Sequence, residues 1–111
     1  MLNCQSSIAA VDMYTIEYAE GMLDELADIR AFDRRTILDR IEEQLTHQPT
    51  LETRNKKMLP GLLPTWEHEP PVWELRVGEF RIYYDVNEAS GRVVVRALRR
   101  KPPHKTTEEI L

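Results

Sequence analysis

The stretch VWELRVGEFRIYYDV, which runs from Val72 to Val86, decides the fold of this chain. Apolar and polar residues alternate on both sides of Gly78-Glu79, as they do in half-buried β-strands. If Gly78 takes the first position of a two-residue turn, the register of the hairpin follows. The predicted pairs are Val77 with Phe80, Arg76 with Arg81, Leu75 with Ile82, Glu74 with Tyr83, and Trp73 with Tyr84. A slip of one residue would scramble the apolar and charged faces that this register separates.

A third strand is predicted from Arg92 to Leu98, after a loop. If Val93, Val95 and Ala97 face the core, the outer face of the sheet holds four arginines, which are Arg76, Arg81, Arg96 and Arg100. The planar fork of arginine suits phosphate, so this face is a candidate anion site. A solvated face, partly neutralised by the acidic residues of the same strands, is the other interpretation. The residues alone leave both open.

Upstream of the hairpin, apolar and polar residues alternate from Tyr14 to Ala19, and this pattern predicts a short strand. Two segments with helical spacing follow, and their apolar residues are Met22, Leu23, Leu26 and Ile29, then Ile37, Leu38, Ile41 and Leu45. Asp33 is expected to cap the second helix while Phe32 packs onto Ile37, and Pro49 ends it. The short connection predicts an antiparallel helical hairpin that lies on the sheet. The fold class is therefore α+β, in the order β-α-α-β-β-β, with a small, twisted and mostly antiparallel sheet.

Two further segments are basic. The connector from Thr50 to Pro71 reads as a loop, and it carries Arg54, Lys56 and Lys57. After the sheet, Arg99, Arg100, Lys101, His104 and Lys105 form a basic tail. These cations are suited to a phosphate backbone, although a solubilising loop is an equal interpretation. The acidic residues of the helices read as a solvated face, and the sequence has no metal-ligand spacing such as H-E-x-x-H.

Composition sets the class of protein. The chain has 111 residues, a net charge of −4 and one cysteine, Cys4. We interpret residues 1–12 as a flexible leader and residues 13–111 as a single domain, in which Met13 is a candidate natural start. A single cysteine excludes an internal disulfide and favours the cytoplasm, and no apolar run is long enough to cross a membrane. Residues 1–50 have a net charge of −6 and residues 51–111 have a net charge of +2, so one face of the protein can still be basic.

The order of these elements and the segment from Trp73 to Val86 resemble the RelE/ParE superfamily, the toxins of type II toxin–antitoxin systems. The resemblance covers about Met13 to Lys105 and includes the basic loop that leads into Met58-Leu59-Pro60-Gly61. It implies a ribosome-dependent endoribonuclease that cuts messenger RNA, inhibits translation and arrests growth. The reaction it implies needs no metal or cofactor and leaves 2′,3′-cyclic phosphate ends.

The resemblance also implies roles for individual residues. Arg76 matches an arginine that contacts the scissile phosphate, and Arg100 or Lys101 matches the basic residue that ends the last strand. His104 is the tail side chain suited to proton transfer. The expected catalytic residues are thus Arg76, Arg100, Lys101 and His104. The expected RNA-binding residues are Arg54, Lys56, Lys57, Arg81, Arg96 and Arg99.

Two alternatives remain beside the endoribonuclease. One is a ParE-like protein that inhibits DNA gyrase by binding without catalysis, and the other is a non-toxic relative that binds an antitoxin. The expected partners are a cognate antitoxin together with the ribosome and messenger RNA, or DNA gyrase under the first alternative. No membrane partner is expected.

Overall fold

A computed structural model describes residues 13–61, 64 and 66–100. Its elements are β1 (Thr15–Tyr18), α1 (Glu20–Ala27), α2 (Ala31–Leu45), β2 (Lys56–Leu59), β3 (Val72–Val77), β4 (Phe80–Asn87) and β5 (Arg92–Arg100). The leader at residues 1–12 and the tail from Lys101 onward, which includes His104, lie outside the described residues. The α+β fold class predicted from the sequence is confirmed.

All five strands form one sheet in the order β1-β5-β4-β3-β2. The sheet is mostly antiparallel, as predicted, and β1 is an edge strand that pairs in parallel with β5. The β3–β4 hairpin has the predicted register, from Val77 opposite Phe80 to Trp73 opposite Tyr84. Gly78 has a φ of 59°, a left-handed conformation that glycine adopts without the clash of a Cβ atom.

The two helices pack on one face of the sheet and form the main core with it. The buried side chains of this core are Met22, Leu26, Ile37, Ile41 and Leu45 from the helices, and Trp73, Leu75, Val77, Phe80, Ile82, Tyr84, Val93, Val95 and Leu98 from the strands. A smaller cluster of Val72, Tyr83 and Ala97, with Leu59 and Trp66 against it, covers part of the opposite face. We call that opposite side the open face.

The connector between α2 and β3 contains a strand that the sequence did not predict. Residues Lys56–Leu59 form β2 and pair antiparallel with β3. A four-residue strand with two lysines shows little apolar alternation, so its pairing with β3 determines its conformation rather than its own pattern. The predicted order lacked this element, which completes the sheet at its second edge.

A β-bulge changes the face that the end of β5 presents. Tyr84 pairs with Val95 and Tyr83 with Ala97, so Arg96 is an extra residue in β5. Beyond the bulge the alternation reverses. Ala97 therefore belongs to the cluster on the open face, while Arg100 lies opposite Phe80 of the main core. The predictions that Ala97 faces the same core as Val93 and Val95 and that Arg100 lies on the outer face are wrong, because a bulge inverts the sides of all later residues.

The second helix begins earlier than predicted. It starts at Ala31, with Arg30 at the N-cap position and no side-chain cap. Asp33 lies in the first turn and accepts hydrogen bonds from Arg30, and Phe32 is 74% exposed. The predicted Asp33 cap and the predicted packing of Phe32 onto Ile37 are therefore wrong. Among the described residues, no helix is both long and apolar enough to span a membrane.

Candidate nucleic-acid interface

A cleft of about 580 Å³ opens between the N-terminal half of α2 and the end of the β3–β4 hairpin. Its lining comes from both elements, from Asn55 ahead of β2 and from the last residue of β5. The lining residues are Arg30, Asp33, Thr36, Ile37, Arg40, Asn55, Arg76, Val77, Gly78, Glu79, Phe80 and Arg100. Four of them are arginines and two are carboxylic acids, so the charges that line the cleft are predominantly positive.

Each of the four arginines is near a carboxylate. Arg30 lies 3.1 Å from Asp33, Arg40 lies 4.0 Å from Glu43, and Arg76 lies 3.5 Å from Glu74. Arg100 forms an ion pair with Glu79. Glu74 is buried, but the carboxylates that face the other three arginines are partly or largely exposed. Exposed ion pairs contribute little stability, so a ligand anion can compete for Arg30, Arg40 and Arg100 at small cost.

Arg100 reaches the cleft because of the bulge in β5. The bulge places it opposite Phe80, and its guanidinium carbon lies 4.8 Å from the centre of the Phe80 ring. A cation held over an aromatic face is attracted by the quadrupole of the ring. The side chain of Arg100 remains 59% exposed, so its guanidinium group is held in place and still accessible to a ligand.

Arg76 connects the cleft with the open face. It contributes to the lining of the cleft, yet its Nε atom donates toward Glu74 at 3.5 Å. The carboxylate of Glu74 is buried and also accepts a hydrogen bond from the hydroxyl of Tyr83 at 3.1 Å. The Arg76 side chain is 43% exposed. A buried carboxylate thus orients a guanidinium group that is still open to solvent.

The open face does not present the predicted set of arginines. Arg96 forms a largely buried ion pair with Asp85 at 2.8 Å. The Nη1 atom of Arg81 donates to the backbone oxygens of Gly78 and Phe80 at 2.9 Å each, which secures the hairpin turn. The predicted common face of Arg96 and Arg100 is wrong, because the bulge places the two on opposite sides of the sheet and Arg96 pairs with Asp85. A role of Arg81 and Arg96 in binding RNA remains a prediction.

Arg99 is also engaged within the fold. Its guanidinium carbon lies 5.2 Å from the centre of the Trp66 ring, and it pairs with the carboxylate of Glu25. The same carboxylate accepts a hydrogen bond from the backbone N–H of Leu98 at 2.9 Å. Glu25 therefore accepts a hydrogen bond from a backbone N–H of β5 in the part of that strand that β1 does not reach. A role of Arg99 in binding RNA remains a prediction.

The basic connector divides into buried and exposed cations. Lys56 is 3% exposed, and its Nζ atom donates to the backbone oxygens of Gln44 at 2.9 Å and Gln48 at 2.6 Å. Burial lowers the pKa of Lys56. The ammonium group of Lys56 therefore serves the end of α2 in this structure, and its predicted contact with RNA remains untested. Lys57 and Arg54 are exposed, and their contribution to RNA binding remains a prediction.

Two arginines that line the cleft, Arg30 and Arg40, carry no functional motif in the sequence. Arg30 is the N-cap residue of α2 and Arg40 lies within the helix. A signal existed, since Asp33, Ile37 and Arg40 follow helical spacing and share one face of α2. The sequence of α2 does not show which element lies against this face, because the end of the β3–β4 hairpin comes next to it only in the folded chain.

Two solved structures have an architecture similar to that of this chain. A chain of an archaeal RelE-RelB complex from Pyrococcus horikoshii OT3 has a TM-score of 0.64 and 18% sequence identity, over 85% of this chain and 99% of that one. A chain of the toxin–antitoxin complex RelBE2 from Mycobacterium tuberculosis has a TM-score of 0.61 and 16% identity, over 80% and 99% respectively. The chain has the RelE fold. No family model and no curated protein matches the sequence.

The RelE fold accounts for the position of the cleft. The helices pack along the β3–β4 hairpin, and the arginine cleft lies where the beginning of α2 adjoins the turn end of that hairpin. The residues predicted to act on phosphate, Arg76 and Arg100, both line it. Their catalytic role remains a prediction, and the other two predicted catalytic residues lie in the tail outside the described residues.

Proposed function

We propose that this protein is the toxin of a type II toxin–antitoxin system, and that it acts as a ribosome-dependent endoribonuclease on messenger RNA. The observation that carries the proposal is the convergence of Arg76 and Arg100 with Arg30 and Arg40 on one cleft. Arginine binds phosphate oxygens through two parallel hydrogen bonds, and a run of such groups suits a polynucleotide backbone. The RelE fold adds support, since both similar structures are complexes of a toxin with its antitoxin.

The proposed reaction is an internal transfer at phosphorus. The 2′-hydroxyl of one nucleotide attacks the neighbouring phosphorus, and the bond from phosphorus to the 5′-oxygen of the next nucleotide breaks. The products are a 2′,3′-cyclic phosphate and a free 5′-hydroxyl. One group must accept the proton of the 2′-hydroxyl, and another must donate a proton to the leaving oxygen. Our proposal needs no metal ion for these steps.

The arginines supply electrostatic stabilisation in this scheme. Negative charge builds on the phosphoryl oxygens in the transition state, and preorganised cationic donors stabilise it. Arg100, held over Phe80, and Arg76, oriented by Glu74, are the donors we assign to the scissile phosphate. Arg30 and Arg40 bind the backbone on either side, and Lys101 and His104 of the tail are the remaining candidates for charge stabilisation and proton transfer.

The decisive experiment compares Arg100→Gln with Arg35→Gln. Arg35 is an exposed arginine of α2 that does not line the cleft, so both variants lose one positive charge. In a translating cell extract, we expect the wild type and Arg35→Gln to cut messenger RNA and leave 5′-hydroxyl ends. We expect Arg100→Gln to lose most of this cutting. Equal cutting by both variants would contradict the role of the cleft.

Induction of the protein in growing cells separates the endoribonuclease from the other two functions. Broken chromosomal DNA with intact transcripts in arrested cells would replace the proposal with inhibition of DNA gyrase. Normal growth on induction without an antitoxin would indicate a non-toxic relative. Antitoxin binding is tested by co-expression with any small protein that a neighbouring reading frame encodes, and thermal unfolding confirms that Arg100→Gln is folded.

A further inference from the structure

Glu79 and Arg100 form a contact that the proposed reaction does not use. Glu79 is the second residue of the β3–β4 turn, and Arg100 ends β5 opposite Phe80. Their side chains form an ion pair in which Glu79 is 52% exposed and Arg100 is 59% exposed. Both residues line the cleft. The carboxylate of Glu79 is therefore paired with the guanidinium group that we assign to the scissile phosphate.

The two partners are not equally constrained. The guanidinium group of Arg100 lies over the Phe80 ring at 4.8 Å from its centre, and Phe80 is buried in the main core. Glu79 projects from an exposed turn beside Gly78. When the pair separates, we expect the carboxylate to move into solvent and the guanidinium group to keep its position.

A carboxylate and a phosphodiester present similar groups to arginine. Each offers two oxygens that share one negative charge, and each can accept the paired N–H donors of a guanidinium group. Since an exposed ion pair of this kind contributes about 0.2–1 kcal/mol, the carboxylate can be displaced by an anion held at additional points. A backbone that also contacts Arg30, Arg40 or Arg76 meets that condition.

We propose that Glu79 is an internal counter-ion that occupies Arg100 in the free protein and is displaced by the phosphodiester backbone of single-stranded RNA. The inference rests on the proposed function and adds a determinant of affinity to it. Glu79 thereby lowers the affinity of the cleft for any anion, and it disfavours ligands that reach Arg100 alone. A strand that engages several arginines overcomes this competition, so the site selects an extended polynucleotide over isolated phosphate.

The experiment measures binding of a fluorescent single-stranded RNA made resistant to cleavage by 2′-O-methyl groups. The variants are Glu79→Gln and a matched control, Glu88→Gln, which removes an equal charge from the exposed turn at the opposite end of β4. At physiological salt the screening length is about 8 Å, so the remote charge should have little effect. We expect Glu79→Gln to bind on the order of two- to five-fold more tightly, and Glu88→Gln to match the wild type.

A second pair of variants tests whether the effect passes through Arg100. In an Arg100→Gln background, Glu79→Gln should change the affinity no more than Glu88→Gln does. Equal affinities of Glu79→Gln and Glu88→Gln in the wild-type background would overturn the inference. So would an increase from Glu79→Gln that persists without Arg100, because the effect would then be one of general charge.

The outcomes also separate this inference from the proposed function. If Arg100→Gln weakens binding but Glu79→Gln equals its control, the cleft binds RNA and only the counter-ion role is wrong. If Arg100→Gln binds as tightly as the wild type, the assignment of the cleft fails and the inference fails with it. Both glutamates are exposed in turns, and thermal unfolding of each variant confirms that the comparison is between folded proteins.

Discussion

The Nζ atom of Lys56 lies 2.6 Å from the backbone oxygen of Gln48 and donates a hydrogen bond to it. A second hydrogen bond reaches the backbone oxygen of Gln44, in the last turn of α2. That turn has no basic residue of its own, although cations at a helix C-terminus are stabilising. Lys56, which comes from the strand at the far edge of the sheet, therefore supplies the cation that the helix sequence lacks.

Lys56→Met should destabilise the protein by about 2 kcal/mol or more, since it leaves two carbonyl oxygens without their charged donor. The free energy of unfolding in urea measures this loss. Lys57→Met is the matched control, because Lys57 is the next residue of β2 and is exposed. Similar losses in the two variants would contradict a structural role for Lys56.

Tyr84 should make the protein sensitive to alkaline pH. Its hydroxyl donates to the backbone oxygen of Pro49 at 2.6 Å, and burial raises the pKa of the Tyr84 phenol far above its usual value. Above a pH of about 10 the unfolded chain loses this proton while the folded chain retains it. The stability that Tyr84 contributes is thus present below pH 10 and is lost as the pH rises further.

Tyr84→Phe should therefore lower the free energy of unfolding at neutral pH by about 1 kcal/mol. It should also make the decrease in the free energy of unfolding above pH 10 less steep. Urea unfolding between pH 7 and pH 11 measures both effects. Burial also raises the pKa values of Tyr14 and Tyr18, so part of the decline should remain. Tyr14→Phe serves as the control and should flatten the decline less, because Tyr14 is more exposed.

The ion pair between Arg96 and Asp85 should be costly to break from one side. The carboxylate of Asp85 is almost fully buried and also accepts a hydrogen bond from the backbone N–H of Glu69 at 2.9 Å. Arg96→Met leaves that charge without its partner, which should cost about 3 kcal/mol. In the double variant Arg96→Met with Asp85→Asn, the total loss in the free energy of unfolding should be smaller than the sum of the losses in the two single variants. Additive losses in urea unfolding would show that the two residues are not coupled.

Arg40 should contribute one phosphate contact to the RNA affinity. Arg40→Gln should weaken binding of the cleavage-resistant RNA and lower the slope of log affinity against log salt concentration by about 0.7. Arg35→Gln removes the same charge from the exposed part of α2 and should leave the slope unchanged. Titrations at several salt concentrations measure both, and an unchanged slope in Arg40→Gln would remove this arginine from the interface.

Local pattern determined the hairpin completely. Its alternation of apolar and charged residues and the glycine of its turn predict every pair from Val77 with Phe80 to Trp73 with Tyr84, and all of them form. Both helices also follow from their spacing, because 3.6-residue periodicity is a local property of the chain. The start of α2 differed, since the ion pair of Arg30 with Asp33 takes the place of a side-chain cap. In α1 the predicted apolar stripe was too wide, because Leu23 is 50% exposed and Ile29 follows the end of the helix.

Tertiary structure decided the features that sequence periodicity cannot express. The bulge at Arg96 turns Arg100 from the open face to the cleft, and pairing with β3 makes a strand of the basic connector. The ammonium group of Lys56 is drawn into the fold by carbonyl oxygens at the end of α2. The sequence alone determined both helices and every strand except β2, because each of these elements carries its own repeat. The cleft exists only after Arg40 and Arg100, sixty positions apart in the printed sequence, are brought to one end of the sheet by packing.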